Sequence, residues 1–185
     1  MNLSHVLFSP NGRISQQEYW IGILILIAAN IVGGMIPFLG FFIGLFLIYV
    51  GVCVYGKRLH DAGKTAWIHG GVWAVQIVLG IVGFALAGGA IMAALANGNG
   101  SDEATFAAIM GASGSLFLVG GLGFLIWIIY TIWVGISAGD PGENRYGPAP
   151  GAAAAAAAAP AAPAAAPAAP EPTVQPSEPD ETPKP

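Results

Sequence analysis

Three stretches of the chain, residues 19–55, 65–101 and 104–139, contain no Asp, Glu, Lys or Arg. Each far exceeds the ~20 apolar residues that cross a bilayer core. The first would measure ~55 Å as one helix against ~30 Å of hydrocarbon, so it must fold back on itself. Gly33, Gly34, Pro37 and Gly40 mark the break. Two spans are therefore predicted near residues 19–36 and 38–55. Ser15-Gln16-Gln17-Glu18 has the spacing of a capping box and places the first helix start just before Tyr19.

Residues 56–66 hold Lys57, Arg58, His60, Asp61 and Lys64 and read as an aqueous loop. A third apolar segment follows from Trp67, and the polar run at 97–103 turns the chain into a fourth. Residues 88–96 and 104–115 are rich in Ala and Gly and are expected to project beyond the hydrocarbon, leaving spans near 67–90 and 114–137. The predicted architecture is an all-α integral membrane four-helix bundle of two helical hairpins over residues 1–147. Residues 148–185 follow as a disordered Ala/Pro-rich acidic tail. Residues 152–159 are eight alanines ended by Pro160, too short for a stable isolated helix.

Composition agrees: 55% apolar and 9% charged residues leave too little polar surface for a soluble domain. The net charge of −4 belongs mainly to the tail, since residues 1–147 carry five basic and six acidic side chains. With four spans, Arg13, Lys57, Arg58, Lys64 and Arg145 fall on one side, and Asp102 and Glu103 on the other. Basic residues mark cytoplasmic loops, so both termini are expected in the cytoplasm, behind an uncleaved first span. Cys53 is the only cysteine and reads as a small core residue.

No phosphate-binding loop, nucleophile elbow or His-Glu-x-x-His motif is present. His60 and His69 lack the further ligands a metal site needs, so no catalytic, cofactor or metal site is expected. At membrane depth the polar inventory is short, chiefly Asn30, Gln76 and hydroxyls such as Thr131. Asn30 and Gln76 lie roughly 14–17 Å from their span entrances, a depth at which an interhelical hydrogen bond between them is expected rather than a substrate site. Small residues at four-residue spacing, Ala85, Gly89 and Ala93 against Ala107, Gly111 and Ser115, predict close packing about the 97–103 turn.

Three separated polar motifs remain. They are Phe8-Ser9-Pro10-Asn11-Gly12-Arg13-Ile14 with Glu18-Tyr19-Trp20, then residues 57–67 with Arg58-Leu59-His60-Asp61, Gly63 and Trp67, then Gly142-Glu143-Asn144-Arg145-Tyr146-Gly147. Together they resemble the bacterial inner-membrane family known as domain of unknown function 805, typified by YhaH and YhaI. The chain departs from that family's pattern at Gln16, Lys57 and Thr65-Ala66. The resemblance implies a multi-pass protein of the bacterial inner membrane and no defined activity.

Four-span topology puts Gly12, Arg13, Glu18, Trp20, Arg58, His60, Asp61, Gly63, Trp67, Asn144, Tyr146 and Gly147 on one face, where a cytoplasmic motif cluster is expected. Glu18 or Asp61 is expected to pair with Arg13 or Arg58. The functional expectation is a non-enzymatic protein that packs, or binds a partner or lipid, through this cluster. The alternative is a small transporter or channel component. Membrane lipids are the expected partners, with an unidentified protein partner or a homo-oligomer also open, and no nucleic acid.

Overall fold

The computed structural model describes residues 1–97 and 101–152. It is all-helical, with α1 (Leu3–Phe8), α2 (Gln16–Gly34), α3 (Leu39–Asp61), α4 (Trp67–Asn97) and α5 (Asp102–Ile136) in chain order. The last four are long and apolar enough to cross a membrane. The Ala/Pro tail beyond residue 152 and residues 98–100 of the turn lie outside the described residues.

The start of α2 follows its sequence signal. Ser15 Oγ accepts from Glu18 N at 3.3 Å, and Glu18 Oε2 accepts from Ser15 N at 3.0 Å, a complete capping box. Between α2 and α3 the chain turns through Phe38, whose φ of 59° is left-handed. Gly40 abuts the Gly33 carbonyl so closely that a side chain there would overlap it. α2 and α3 then pack through Gly22, where a Cβ would lie 3.1 Å from Val54 Cγ1. α4 and α5 pack through Gly83 against Leu116 and Val119, and through Gly111 against Ala90. Buried Ala87, Ala108 and Ala112 share that seam, whereas Ala107, expected to face Ala93, is exposed.

Two features depart from the sequence reading. First, α3 continues past residue 55 to Asp61 and carries Lys57 and Arg58 into buried positions, so most of the expected aqueous loop is helix. Burying those charges is tolerable because each finds acceptors. Second, residues 3–8, for which no element is predicted, form α1. Asn2 Oδ1 caps its start. Its last carbonyls are taken by α3: Lys57 Nζ donates to His5 O and, at 2.8 Å, to Val6 O, and the Tyr49 hydroxyl donates to Phe8 O at 2.9 Å. Six residues are too few for a periodic signal, and α1 exists by tertiary capping.

The helices α4 and α5 run unbroken for 31 and 35 residues, ~46 and ~52 Å, against ~28 and ~34 Å for α2 and α3. The α4/α5 hairpin is thus much the longer of the two.

The two hairpins are joined near the end that carries Arg13, called here the polar end. The Tyr19 hydroxyl donates to Thr131 O at 2.9 Å. Thr131 Oγ1 donates to Trp127 O, so at 2.8 Å it accepts from the Tyr55 hydroxyl. Buried Val6, Ile14, Tyr19, Val54, Leu59 and Val134 complete the core there. In lipid such packing and hydrogen bonding, rather than hydrophobic exclusion, hold helices together.

Candidate functional site

The polar end is organised by one carboxylate. Asp61 closes α3 and is 4% exposed. Its Oδ1 accepts from Arg13 Nε at 3.0 Å and sits 2.9 Å from Arg13 Nη2, while Oδ2 accepts from Arg58 Nη1 at 2.5 Å. Charge-assisted bonds of this kind, from two guanidiniums to one carboxylate, are shorter and stronger than bonds between neutral groups. Arg13 is brought there by the segment that leaves α1, through Gly12 at φ +90°. Arg58 stands one turn before Asp61 on α3.

Other guanidinium N–H groups reach the end of α5 and the chain that follows it, while the buried Arg58 Nε finds no acceptor among the described residues. Arg58 Nη2 donates to Ser137 O at 2.5 Å and Gly135 O at 3.2 Å. These are carbonyls at the C-terminal end of α5, where a cation meets both the unpaired acceptors and the negative end of the helix dipole. Arg13 Nη2 donates to Asp140 O at 2.5 Å, and Arg13 Nη1 donates to Gly142 O at 2.6 Å and Gly147 O at 3.2 Å. Asp140 N donates back to Asp61 O at 2.8 Å. Gly139 is obligatory here, because a Cβ would overlap the Asp61 carboxylate. Two arginines and an aspartate thus tie the α1–α2 connection, the end of α3 and the segment after α5 into one unit.

A second layer lies over the first. Residues 144–147 close a tight turn, with reciprocal backbone bonds between Asn144 and Gly147 and with Tyr146 N donating to Asn144 Oδ1 at 2.9 Å. Gly147 supplies φ +118°. The turn lays the Tyr146 ring on the His60 imidazole, 3.7 Å between centroids and 9° between planes. His60 Nδ1–H donates to Gly12 O at 3.3 Å, and Asn144 Nδ2 donates to His60 O at 3.0 Å and Asp140 Oδ2 at 2.8 Å. The Arg145 guanidinium stacks on Tyr146 at 4.7 Å. Gly63, at φ +67°, passes Asp140 so closely that a Cβ would lie 2.8 Å from Oδ2.

A family model described as protein of unknown function (DUF805) matches residues 7–148, the stretch that holds this whole cluster. The chain belongs to the DUF805 family. No curated protein and no solved structure matches it.

Of the twelve residues singled out from the sequence of this DUF805 protein, nine lie in the two layers: Gly12, Arg13, Arg58, His60, Asp61, Gly63, Asn144, Tyr146 and Gly147. Three do not. The Glu18 carboxylate is engaged in the capping box with Ser15 and does not pair with an arginine. The Trp20 ring lies edge-on to Tyr19 and against Gly135, on the hairpin junction. Trp67 is 83% exposed at the start of α4, as an interfacial anchor is.

The sequence reading missed Asp140, the main-chain carbonyls after α5, and an aromatic box at the junction. In that box His69, 2% exposed, stacks on Tyr55 with centroids 4.5 Å apart, and Tyr130, Trp73 and Trp127 pack around it. Trp73 Nε1 donates to His69 Nε2 at 3.2 Å, and since an indole only donates, His69 Nδ1–H donates to the Tyr130 oxygen at 3.1 Å. The ring is neutral and both its nitrogens are engaged. The i, i+4 pair His69/Trp73 and the run Trp127, Tyr130, Val134 carried a helical-face signal for this box.

Among the described residues no group of three His, Cys, Asp or Glu side chains could hold a metal. Asn30 and Gln76 do not meet. Asn30 Nδ2 donates to Leu26 O on its own helix, and Gln76 Nε2 donates to Gly123 O at 2.8 Å. A cleft separates them: an apolar cavity of about 1000 Å³ lies between the hairpins, lined from all four long helices.

Proposed function

We propose that this protein is a non-enzymatic, lipid-binding protein of a bacterial inner membrane, with both terminal segments on the cytoplasmic side, and that its polar cluster is a clamp on the helix ends rather than a docking surface. The observation that carries this reading is the saturation of Asp61, which is buried and accepts from Arg13 and Arg58 together. A carboxylate so engaged is not offered to a substrate proton, and His60 beside it is covered by Tyr146. The clamp instead sets the spacing of the hairpins, and the concave surface left for a ligand is the apolar cleft. Support for the orientation comes from Arg13, Lys57, Arg58, Lys64 and Arg145, which all gather at the polar end. Transport of ions would need polar groups free at membrane depth, whereas Asn30 and Gln76 are bonded to backbone carbonyls.

Thermal unfolding of the purified, delipidated full-length protein tests the reading. A ligand that binds only the folded state raises the midpoint. Adding back phosphatidylethanolamine and phosphatidylglycerol should raise it by several degrees in a concentration-dependent manner. An unchanged midpoint at saturating lipid would remove the lipid-binding reading. Periplasmic activity of a reporter fused after Gly147 would remove the orientation.

A further inference from the structure

We infer that the cleft between the two hairpins is a binding site for the hydrocarbon tails of a membrane glycerolipid. The inference rests on the lipid-binding reading above and names its site and ligand. The hairpins meet at the polar end through Tyr19, Tyr55 and Thr131, and the cavity opens beyond that junction, with the His69 aromatic box at its closed end. Along α4 its lining runs from His69 to Phe84, and along α2 from Trp20 to Ile31. At ~1.5 Å per residue these are ~22 and ~17 Å. One leaflet of a ~30 Å hydrocarbon core is ~15 Å deep. The cavity is therefore at least as long as a lipid tail lying in one leaflet.

Its chemistry points the same way. No lining residue is Asp, Glu, Lys or Arg. Asn30, Gln76, Thr131 and His69, which line it, each hold a bond within the protein: Asn30 donates to Leu26 O, Gln76 to Gly123 O, Thr131 to Trp127 O, and His69 is bonded to Trp73 and Tyr130. A polar solute would find little to replace its hydration, and an apolar cavity does not hold ordered water well. An uncharged chain loses nothing by entering. The volume, about 1000 Å³, is at the upper end for small-molecule sites, ~300–1,000 Å³.

The space is built by glycine. Gly44 and Gly51 on α3, Gly80 on α4 and Gly120 on α5 line the cavity, and a Cβ added at any of the four meets nothing within 4 Å. Helix packing does not require these glycines, unlike Gly22 or Gly83, whose added Cβ would touch a neighbouring helix. Their absent side chains leave room for something else.

The test fills that room. Full-length wild type, the double variant Gly80→Leu/Gly120→Leu and, on the opposite wall, Gly44→Leu/Gly51→Leu are placed in lipid discs of phosphatidylethanolamine and phosphatidylglycerol. Bound lipid is then read by native mass spectrometry after release into detergent. Gly71→Leu/Gly114→Leu is the control, since both positions are open and neither lines the cavity. Leucine is the better helix former, so the variants should melt no lower than wild type.

Wild type and control should retain a diacyl lipid, and both cavity variants should lose at least tenfold of that occupancy. Equal retention by folded cavity variants overturns the site while leaving lipid binding elsewhere intact. A wild type that retains no lipid overturns both. A wild-type dimer that the cavity leucines dissociate overturns the assignment in favour of a second copy as the occupant.

Discussion

His60 and Tyr146 lie flat on one another, 3.7 Å between ring centroids, although the whole α4/α5 hairpin separates them in sequence. The contact closes the outer layer of the polar cluster over the Asp61 network. It places the turn at 144–147 against the end of α3, beside the bond from Asn144 Nδ2 to His60 O.

If that stack holds the turn, its loss should be felt in proportion to ring contact. Tyr146→Ala should lower stability by about 1 kcal/mol, the scale of a stacked aromatic pair, and Tyr146→Phe by much less. Chemical denaturation in a mild detergent reads both.

Gly63→Ala should be more costly than an ordinary glycine substitution. Its φ of +67° disfavours any side chain, and the added Cβ would press on Asp140 Oδ2 at 2.8 Å. A loss of ~1–3 kcal/mol is expected. Gly71→Ala, in open space on α4, should be neutral or stabilising by up to ~1 kcal/mol. The comparison is made in the same unfolding assay.

Lys57→Met should release α1 while leaving the bundle folded. The ammonium donates to the His5 and Val6 carbonyls, and methionine fills its volume without donating. Hydrogen exchange of amides in residues 3–8 should accelerate about tenfold, with little change in α4 and α5.

Tyr130→Phe should destabilise by ~1–3 kcal/mol, because the buried His69 Nδ1–H would lose its acceptor. Tryptophan fluorescence should change with it, since Trp73 and Trp127 flank the same imidazole. A silent Tyr130→Phe would mean that the His69 bond is not made.

The membrane-spanning plan was legible because charge-free runs longer than a bilayer admit few alternatives, and Gly33, Gly34 and Pro37 punctuate the first of them. The course of α3 was not. Lys57, Arg58 and Asp61 look like a solvated loop until their partners are known, and for the two cations those partners include main-chain carbonyls, which no side-chain pattern displays. Arg13 and Asp61 could be placed on one face from topology alone, but Glu18 and Asp61 were equal candidates for the arginines. Local geometry separates them, because the capping box engages Glu18 three residues from Ser15. The cleft had a faint trace in Gly44, Gly51, Gly80 and Gly120. Glycine is common in membrane helices for packing reasons, so only structure distinguishes a glycine that admits a neighbour from one that leaves a space.

Arg13 and Asp61, from opposite ends of the α2/α3 hairpin, act as one unit. A double-mutant cycle with Arg13→Met, Asp61→Asn and the pair, read by unfolding free energy in one detergent, measures that coupling. Each single change strands a buried partner and should cost about 3–5 kcal/mol. The double change should cost well under the sum, by 1 kcal/mol or more on the scale of coupled neighbours at ~0.5–3 kcal/mol. Single costs that add to within ~0.5 kcal/mol would show the two side chains to be independent, and the clamp would not exist.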